Sequence, residues 1–169
     1  MKTFSNFKHR FFSTFRELFV HHHGSLEFRS KIFALVLATF EDQLENTDEA
    51  YAVVKAYGLK IYKDNDRADL LSLTTKELVK KVYDDNGLDI DTLIYNIQKE
   101  LKIVPRYAKK IDIDALKPFL ALTKDKDTIA YQENILTFLQ KTKDDTLKTK
   151  KEQIKKSEEK IDSKSCSIK

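Results

Sequence analysis

Glycine, proline, tryptophan and cysteine are scarce in this chain of 169 residues, which has 3 Gly, 2 Pro, 1 Cys and no Trp. Tight turns and hairpins are built from Gly and Pro, so their scarcity argues against a fold rich in β-sheet. The single Cys166 excludes a disulfide within the chain and is typical of a reducing, cytoplasmic compartment. Leu, Lys and Glu, which favour helices, are abundant instead. The composition therefore predicts an all-α fold.

Long hydrophobic runs are missing as well. The longest extends from Ile32 to Phe40 and is interrupted by Thr39, whereas a membrane-spanning helix needs about 20 apolar residues. Residues 1–20 lack the uninterrupted apolar stretch and the small-residue cleavage site of a secretory signal. We therefore expect a cytoplasmic protein that is at most peripherally attached to the cytoplasmic face of the inner membrane.

Apolar residues recur three and four positions apart along most of the chain, which is the spacing of one helix face. Residues 24–142 are predicted to form a compact bundle of about six helices. Gly24 is expected to stop a preceding helix, and Ser25 to be the next N-cap. The predicted helices span about 26–42, 46–61, 68–83, from Asp89 or Asp91 to just before Pro105, from Asp112 or Asp114 to 120, and 128–140.

Residues 1–23 are predicted to form an amphipathic helix of unusual composition, because its apolar stripe is made almost wholly of phenylalanine. Basic residues accompany the stripe and lie largely off it. Such a helix binds an anionic membrane surface or docks in the groove of a partner, and it can also fold back over its own body. The residues assigned to membrane or partner binding are Phe4, Phe7, Phe11, Phe15, Phe19, Lys8, Arg10 and Arg16.

Residues 143–169 differ in composition from the body. Residues 141–169 hold 10 basic and 6 acidic residues and residues 1–31 hold 6 and 2, whereas residues 32–140 hold 15 and 19. An acidic body thus carries two basic ends. Apolar residues recur every seven positions at Leu147, Ile154, Ile161 and Ile168. A coiled coil needs two apolar positions in each heptad, so we interpret the segment as a solvated helix or a disordered basic tail.

The body resembles the tellurite-resistance TerB-like helical domain over about residues 28–140. The resemblance rests on the order of the helices, on residues 88–93 opening a middle helix, and on two related helix starts. Family members carry Ala-Asp-Gly and then Glu seven positions after the Asp. Here Asp42 and Glu49 have that separation, Glu41 and Gln43 replace the Ala and Gly, and residues 124–127 precede Glu133. The resemblance implies an all-helical domain of a kind also attached to some membrane-tethered co-chaperones.

No pattern in the sequence indicates a catalytic or metal site. Consecutive histidines at 21–23, with Glu27, point in different directions on a helix, so we interpret them as a solvated junction. Asp42, Glu45, Asp48 and Glu49 lack the glycine of calcium loops and are better explained as charges at a helix N-terminus. No phosphate-binding loop and no nucleophile beside a base is found. We expect no cofactor, no catalytic residue and no metal ligand.

These observations favour a non-enzymatic adaptor or chaperone-like factor that supports the assembly or stability of a membrane protein complex. Its expected partners are a membrane-associated protein and an anionic membrane surface. A nucleic-acid-associated protein that binds through its basic tail is the first alternative, although the tail has interspersed acids and no aromatic residue for base stacking. A metal-stress protein of the tellurite-resistance kind is the second.

Overall fold

The computed structural model describes residues 24–40 and 47–165, with side chains described up to residue 161. Within these residues the fold is all-α and compact, as predicted, and no strand occurs. The predicted helix over residues 1–23, the acidic residues at 41–46 and Cys166 lie outside the described residues. The helices are α1 (Gly24–Leu37), α2 (Thr47–Tyr62), α3 (Asn65–Tyr83), α4 (Ile90–Ile103), α5 (Ile113–Leu116) and α6 (Lys126–Ser165), with 3-10 segments at Pro105–Lys110 and Lys117–Leu122.

Aspartate carboxylates cap the starts of α3, α4 and α5, and the sequence predicts the last two of these caps. The carboxylate of Asp64 accepts a hydrogen bond from the backbone N–H of Arg67 at 3.1 Å, which is why α3 starts earlier than its apolar pattern suggests. Asp89, the first of the two predicted candidates, caps α4 through Thr92. Asp112, again the first candidate, caps α5. Each carboxylate satisfies a backbone donor that a helix start otherwise leaves unpaired.

The central helix is α1, which is buried on nearly every side. Its residues Phe28, Ala34, Leu35 and Val36 have no exposed surface. The first boundary prediction is wrong here: α1 already includes Gly24 and Ser25, so Gly24 is no helix stop and Ser25 is no N-cap. The helix also ends at Leu37 rather than near residue 42. A helix that is apolar all round gives little periodic signal, so its ends are decided by packing.

Helices α2 and α3 form an antiparallel hairpin that covers α1. Residues Lys63 and Asp64 join them, and Lys63 has a φ of 53°, the left-handed conformation of a tight turn. At the other end of the hairpin, the hydroxyl of Tyr83 shares its one proton between the carbonyl oxygens of Leu37 and Phe40. These bonds tie the end of α3 to the end of α1 and fix how the hairpin lies on the central helix.

Helix α4 and the 3-10 segment after it cover the other side of α1. Leu93, Ile97 and Leu101 of α4 are buried, as predicted. The 3-10 segment at residues 105–110 was not predicted, yet its Ala108 and the following Ile111 have no exposed surface. Proline at its start removes a backbone donor and stops α4, so the chain continues in a tighter turn.

The last helix, α6, is a single helix of 40 residues that continues well past the predicted end near residue 140. The ammonium group of Lys143 donates to the carbonyl oxygen of Ile111 at 2.9 Å. Leu147 is half-buried against the core. These two contacts explain why the helix continues, because they hold two further turns against the body. Residues 143–169 were interpreted as a solvated helix or a disordered tail. As far as residue 165, where the described part ends, they form a helix.

Candidate functional site

The predicted membrane- or partner-binding residues all lie in residues 1–23 and therefore outside the described residues. Phe4, Phe7, Phe11, Phe15, Phe19, Lys8, Arg10 and Arg16 stay a prediction from the sequence. The structure describes where this segment joins the body. Gly24 opens α1, and a Cβ on Gly24 would lie 2.6 Å from the hydroxyl oxygen of Tyr107. The chain thus meets the body beside the 3-10 segment at residues 105–110.

The acidic turn at the start of α2 is only partly described. Asp48 and Glu49 are exposed in the first turn of α2, where their charges compensate the helix dipole. Asp42, Glu45 and the three histidines lie outside the described residues. Among residues 24–40 and 47–165, no group of three or more His, Cys, Asp or Glu side chains is placed to hold a metal ion.

An arginine–tyrosine cluster joins α1 to α2. The guanidinium of Arg29 donates to the hydroxyl oxygen of Tyr62 at 3.2 Å and lies 5.5 Å from the centre of its ring. Burial raises the pKa of Tyr57 and the nearby carboxylate of Asp112 raises it further, whereas Arg29 opposes that shift. A tyrosine of raised pKa is a poor base and nucleophile at neutral pH. The cluster thus joins α1 to α2 through a hydrogen bond and a cation–π contact.

A second polar cluster joins α1 to α4. Lys31, whose side chain is 14% exposed, forms an ion pair with Glu100 and another with Glu27 at 3.1 Å. Burial lowers the pKa of Lys31, but its hydrogen bond to Glu100 and the charges of both carboxylates outweigh this effect and raise the pKa. The lysine thus stays charged and paired, which is the condition under which a charge is tolerated in such a position.

The most exposed described part of the chain is the end of α6. Every side chain from Lys151 to Ile161 is exposed. We call residues 151–165 the arm; at 1.5 Å per residue it is roughly 22 Å long. Ile154 is 49% exposed and Ile161 is 67% exposed, in a helix whose other residues over this stretch are polar or charged. An isolated helix of this length is marginal in water, and helices usually gain their stability by packing an apolar face.

A groove lies at the base of the arm, between α4 and α6. Its volume is about 480 Å³. Leu101 is buried and forms part of its lining, and Lys102 and Lys150 contribute a lysine from each helix. Asp145 is the acidic residue of the lining. The remaining lining residues are polar or small, apart from Pro105: Gln98, Thr142, Thr146, Thr149 and Gln153.

Of the arm and the groove at its base, the sequence predicted only the apolar residues of the arm. The seven-residue spacing of Leu147, Ile154 and Ile161 was recognised, and these residues do share one face of α6. The groove was missed, because its two walls are far apart in sequence and the unpredicted 3-10 segment brings them together. The sequence signal closest to the groove is Leu101, the last residue in the apolar pattern of α4, which lines the groove.

Comparisons with known proteins add no assignment: no family model, no curated protein and no solved structure matches this chain. The resemblance to the TerB-like domain therefore stays a prediction from the sequence. No helix within residues 24–40 and 47–165 is both long and apolar enough to cross a membrane.

Proposed function

We propose that the protein is a non-enzymatic adaptor or chaperone-like factor. It attaches peripherally to the cytoplasmic face of the inner membrane and supports the assembly or stability of a membrane protein complex. The observation that carries this proposal is the arm of α6, a helix that leaves the body and exposes Ile154 and Ile161. One apolar residue in each heptad is too few for a stable coiled coil, so these two isoleucines suit a weak, transient contact with another protein.

The membrane contact is assigned to the phenylalanine-rich segment at residues 1–23. Burying a Phe side chain contributes roughly 1.5–3 kcal/mol, so partial burial of several supports binding at an interface. Each Lys or Arg near an anionic surface adds roughly 1 kcal/mol, and the segment offers Lys8, Arg10 and Arg16. Neither contribution suffices alone against the cost of immobilisation. Binding should therefore require both the phenylalanines and anionic lipid.

Sedimentation with lipid vesicles tests this assignment. The full chain should sediment with anionic vesicles but not with neutral ones, and high salt should weaken the binding. The variant Phe7→Asp/Phe11→Asp/Phe15→Asp should lose binding while its far-ultraviolet helix signal persists. Persistent vesicle binding by a folded triple variant would contradict the membrane assignment, and unfolding of that variant would place the phenylalanines in the core.

The alternative function is that of a nucleic-acid-associated protein, and a comparison of DNA binding with vesicle binding tests it. Salt-sensitive binding to duplex DNA that exceeds the binding to vesicles of equal anionic charge would favour it. Removal of residues 151–169 should then weaken DNA binding, because six of the ten basic residues of segment 141–169 lie there. Under the adaptor proposal, the same truncation leaves vesicle binding intact.

A further inference from the structure

Basic residues are concentrated in one short stretch of the acidic body. Residues 32–140 hold 15 basic and 19 acidic residues, and five of the basic ones but only one of the acidic ones fall within residues 99–110. That acidic residue, Glu100, is paired with Lys31 of α1. The stretch consists of the end of α4 and the 3-10 segment at residues 105–110. A negatively charged body thus carries a positively charged surface, which attracts polyanions.

The side chains of the 3-10 segment point to three sides, because residues three positions apart eclipse in this kind of helix. Ala108 faces the core and has no exposed surface. Tyr107 packs on Phe28 of α1, with the ring centres 5.2 Å apart. Arg106 and Lys109 share the remaining side, and both are exposed. The segment thus holds two basic side chains next to each other in solvent.

The end of α4 adds an apolar side chain to these charges. Lys102 and Ile103 lie three and four positions after Lys99, so the three residues share one side of the helix, and all are exposed. Ile103 is 69% exposed, the largest value among the large hydrophobic side chains that the structure describes. We call this surface the basic patch; it comprises Lys99, Lys102, Ile103, Arg106 and Lys109. None of its four basic side chains forms an ion pair with a described residue.

Carboxylates of the neighbouring elements do not neutralise the basic patch. Those of α1, α4 and α5 form ion pairs or cap a helix: Glu27, Glu100, Asp112 and Asp114. Asp145 of α6 lines the groove together with Lys102, and Lys150 of the same helix balances its charge there. The positive charge of the patch is therefore directed at something outside the body.

The phenylalanine-rich segment leaves the body beside the basic patch. A Cβ on Gly24 would lie 2.6 Å from the hydroxyl oxygen of Tyr107, the residue that follows Arg106 in the chain. Residues 1–23 thus join the body within the length of one tyrosine side chain from the 3-10 segment. Two contacts so close together on one chain can reach the same flat surface, and the second forms at a high effective concentration once the first is made.

We propose that the basic patch is a second membrane contact, which binds anionic lipid headgroups beside the phenylalanine-rich segment and sets which side of the body faces the membrane. The inference rests on the proposed function, whose membrane contact it extends from residues 1–23 to the body. Each Lys or Arg near an anionic membrane surface tightens binding roughly fivefold. Ile103 enters the boundary between headgroups and acyl chains, where apolar side chains flanked by basic ones lie.

Other polyanions fit the basic patch less well. Nucleic acid would use the basic side chains but leave Ile103 exposed. The aromatic residue of this stretch, Tyr107, packs on Phe28 and is not free to stack on a base. An acidic protein would also pair with the basic side chains, but it gives no reason for the phenylalanines to leave the body at this point. A membrane uses the charges, the isoleucine and the phenylalanines together.

Co-sedimentation of the full chain with vesicles of phosphatidylcholine and phosphatidylglycerol tests the proposal. Lys102→Gln/Arg106→Gln/Lys109→Gln should weaken binding at least about tenfold, since it removes three charges from the membrane-facing side. The matched control is Lys60→Gln/Lys63→Gln/Arg67→Gln, which removes the same three charges from the turn between α2 and α3. It should weaken binding about twofold or less, because screening limits the effect of charges far from the membrane. All six side chains are exposed, so both variants should keep the melting temperature of the unmodified chain.

The isoleucine and the orientation of the body are tested separately. Ile103→Ser should weaken vesicle binding about threefold or more, whereas Ile154→Ser, on the arm, should not change it. A fluorophore sensitive to polarity is then attached at Ile103→Cys in a chain that also carries Cys166→Ser. Its emission should shift to shorter wavelength when the vesicles are added. The same fluorophore at Ala56→Cys, an exposed position of α2, should show no shift.

Several results would overturn the proposal. Equal vesicle binding by the patch variant and its matched control excludes the basic patch, as does an equal shift at positions 103 and 56. Binding to duplex DNA, or self-association, that the patch variant loses while its vesicle binding is unchanged identifies a different occupant. Vesicle binding that depends on the phenylalanines but not on the patch leaves the proposed function standing and rejects this inference alone. An unmodified chain that binds no vesicles rejects both.

Discussion

Gly58 of α2 lies so close to Ala68 of α3 that a Cβ on Gly58 would be 2.8 Å from the Cα of Ala68. That separation is shorter than van der Waals contact, and the obstructing atom belongs to backbone rather than to a flexible side chain. Gly58 is therefore what allows α2 and α3 to pack at their observed distance. The price in helix propensity, about 1 kcal/mol for glycine instead of alanine, is tolerated for this contact.

Substitution of this glycine should consequently destabilise the protein. Gly58→Val should lower the free energy of unfolding by about 1–3 kcal/mol, the usual cost of overpacking, even though valine is intrinsically the better helix former. Urea denaturation followed by circular dichroism measures the change. The control is Ala56→Val, at an exposed position of the same helix, which should alter stability by about 0.5 kcal/mol or less. Equal effects of the two substitutions would contradict the close approach.

Gln132 should destabilise the native fold. It is fully buried on the core-facing side of α6, and neither its amide nitrogen nor its amide oxygen has a hydrogen-bond partner among residues 24–40 and 47–165. A buried polar group without a partner costs about 1–3 kcal/mol. Gln132→Met, which keeps the length of the side chain, should raise the free energy of unfolding by about 1 kcal/mol or more. Gln153→Met, at an exposed position of α6, should have no such effect; a loss of stability in the first variant would mean that the amide is hydrogen-bonded in solution.

Two truncations should separate the arm from the packed part of α6. Removal of residues 151–169 should leave the free energy of unfolding within about 0.5 kcal/mol of the full chain, since the described side chains it removes are all exposed. Removal of residues 142–169 should cost about 2–4 kcal/mol, because it deletes the bond from Lys143 to Ile111 and the packing of Leu147. Thermal and urea unfolding of both truncated chains measures the difference. Equal stability would show that α6 gains nothing from residues 142–150.

Alkaline pH should weaken the fold through Tyr51. This residue is 9% exposed, and burial raises its pKa from 10.0 to about 12. Because the folded-state pKa lies above the unfolded one, the stabilisation is complete below about pH 10 and is lost as the pH rises through about 12. A shift of this size corresponds to roughly 2–3 kcal/mol.

Tyr51→Phe isolates this contribution. Phenylalanine retains the aromatic ring near the ammonium group of Lys76, which lies 5.4 Å from the ring centre in the structure. The variant should therefore lose less stability than the unmodified chain when urea unfolding is compared at pH 9 and pH 11.5. Identical pH dependence of the two proteins would show that the hydroxyl of Tyr51 ionises as easily in the folded state as in the unfolded one.

The sequence alone determined the class of fold and most of its helices. Helices with one apolar side, such as α4 with Leu93, Ile97 and Leu101, are visible because their periodicity records which side faces the core. The caps at Asp89 and Asp112 were predicted for a similarly local reason, since each carboxylate accepts from a backbone N–H three residues ahead. The seven-residue spacing of Leu147, Ile154 and Ile161 likewise places them on one face of a helix without knowledge of the fold.

Tertiary structure decided the features that depend on contacts between distant residues. The C-terminal end of α1 was misplaced because a helix buried on nearly every side has little polar surface to mark where it stops. The continuation of α6 past residue 140 depends on the carbonyl oxygen of Ile111, 32 positions away in sequence. The groove beside Leu101 exists only because a 3-10 segment places α4 next to α6. Local sequence specifies which residues prefer to be buried, whereas the packing of the whole chain decides what covers them.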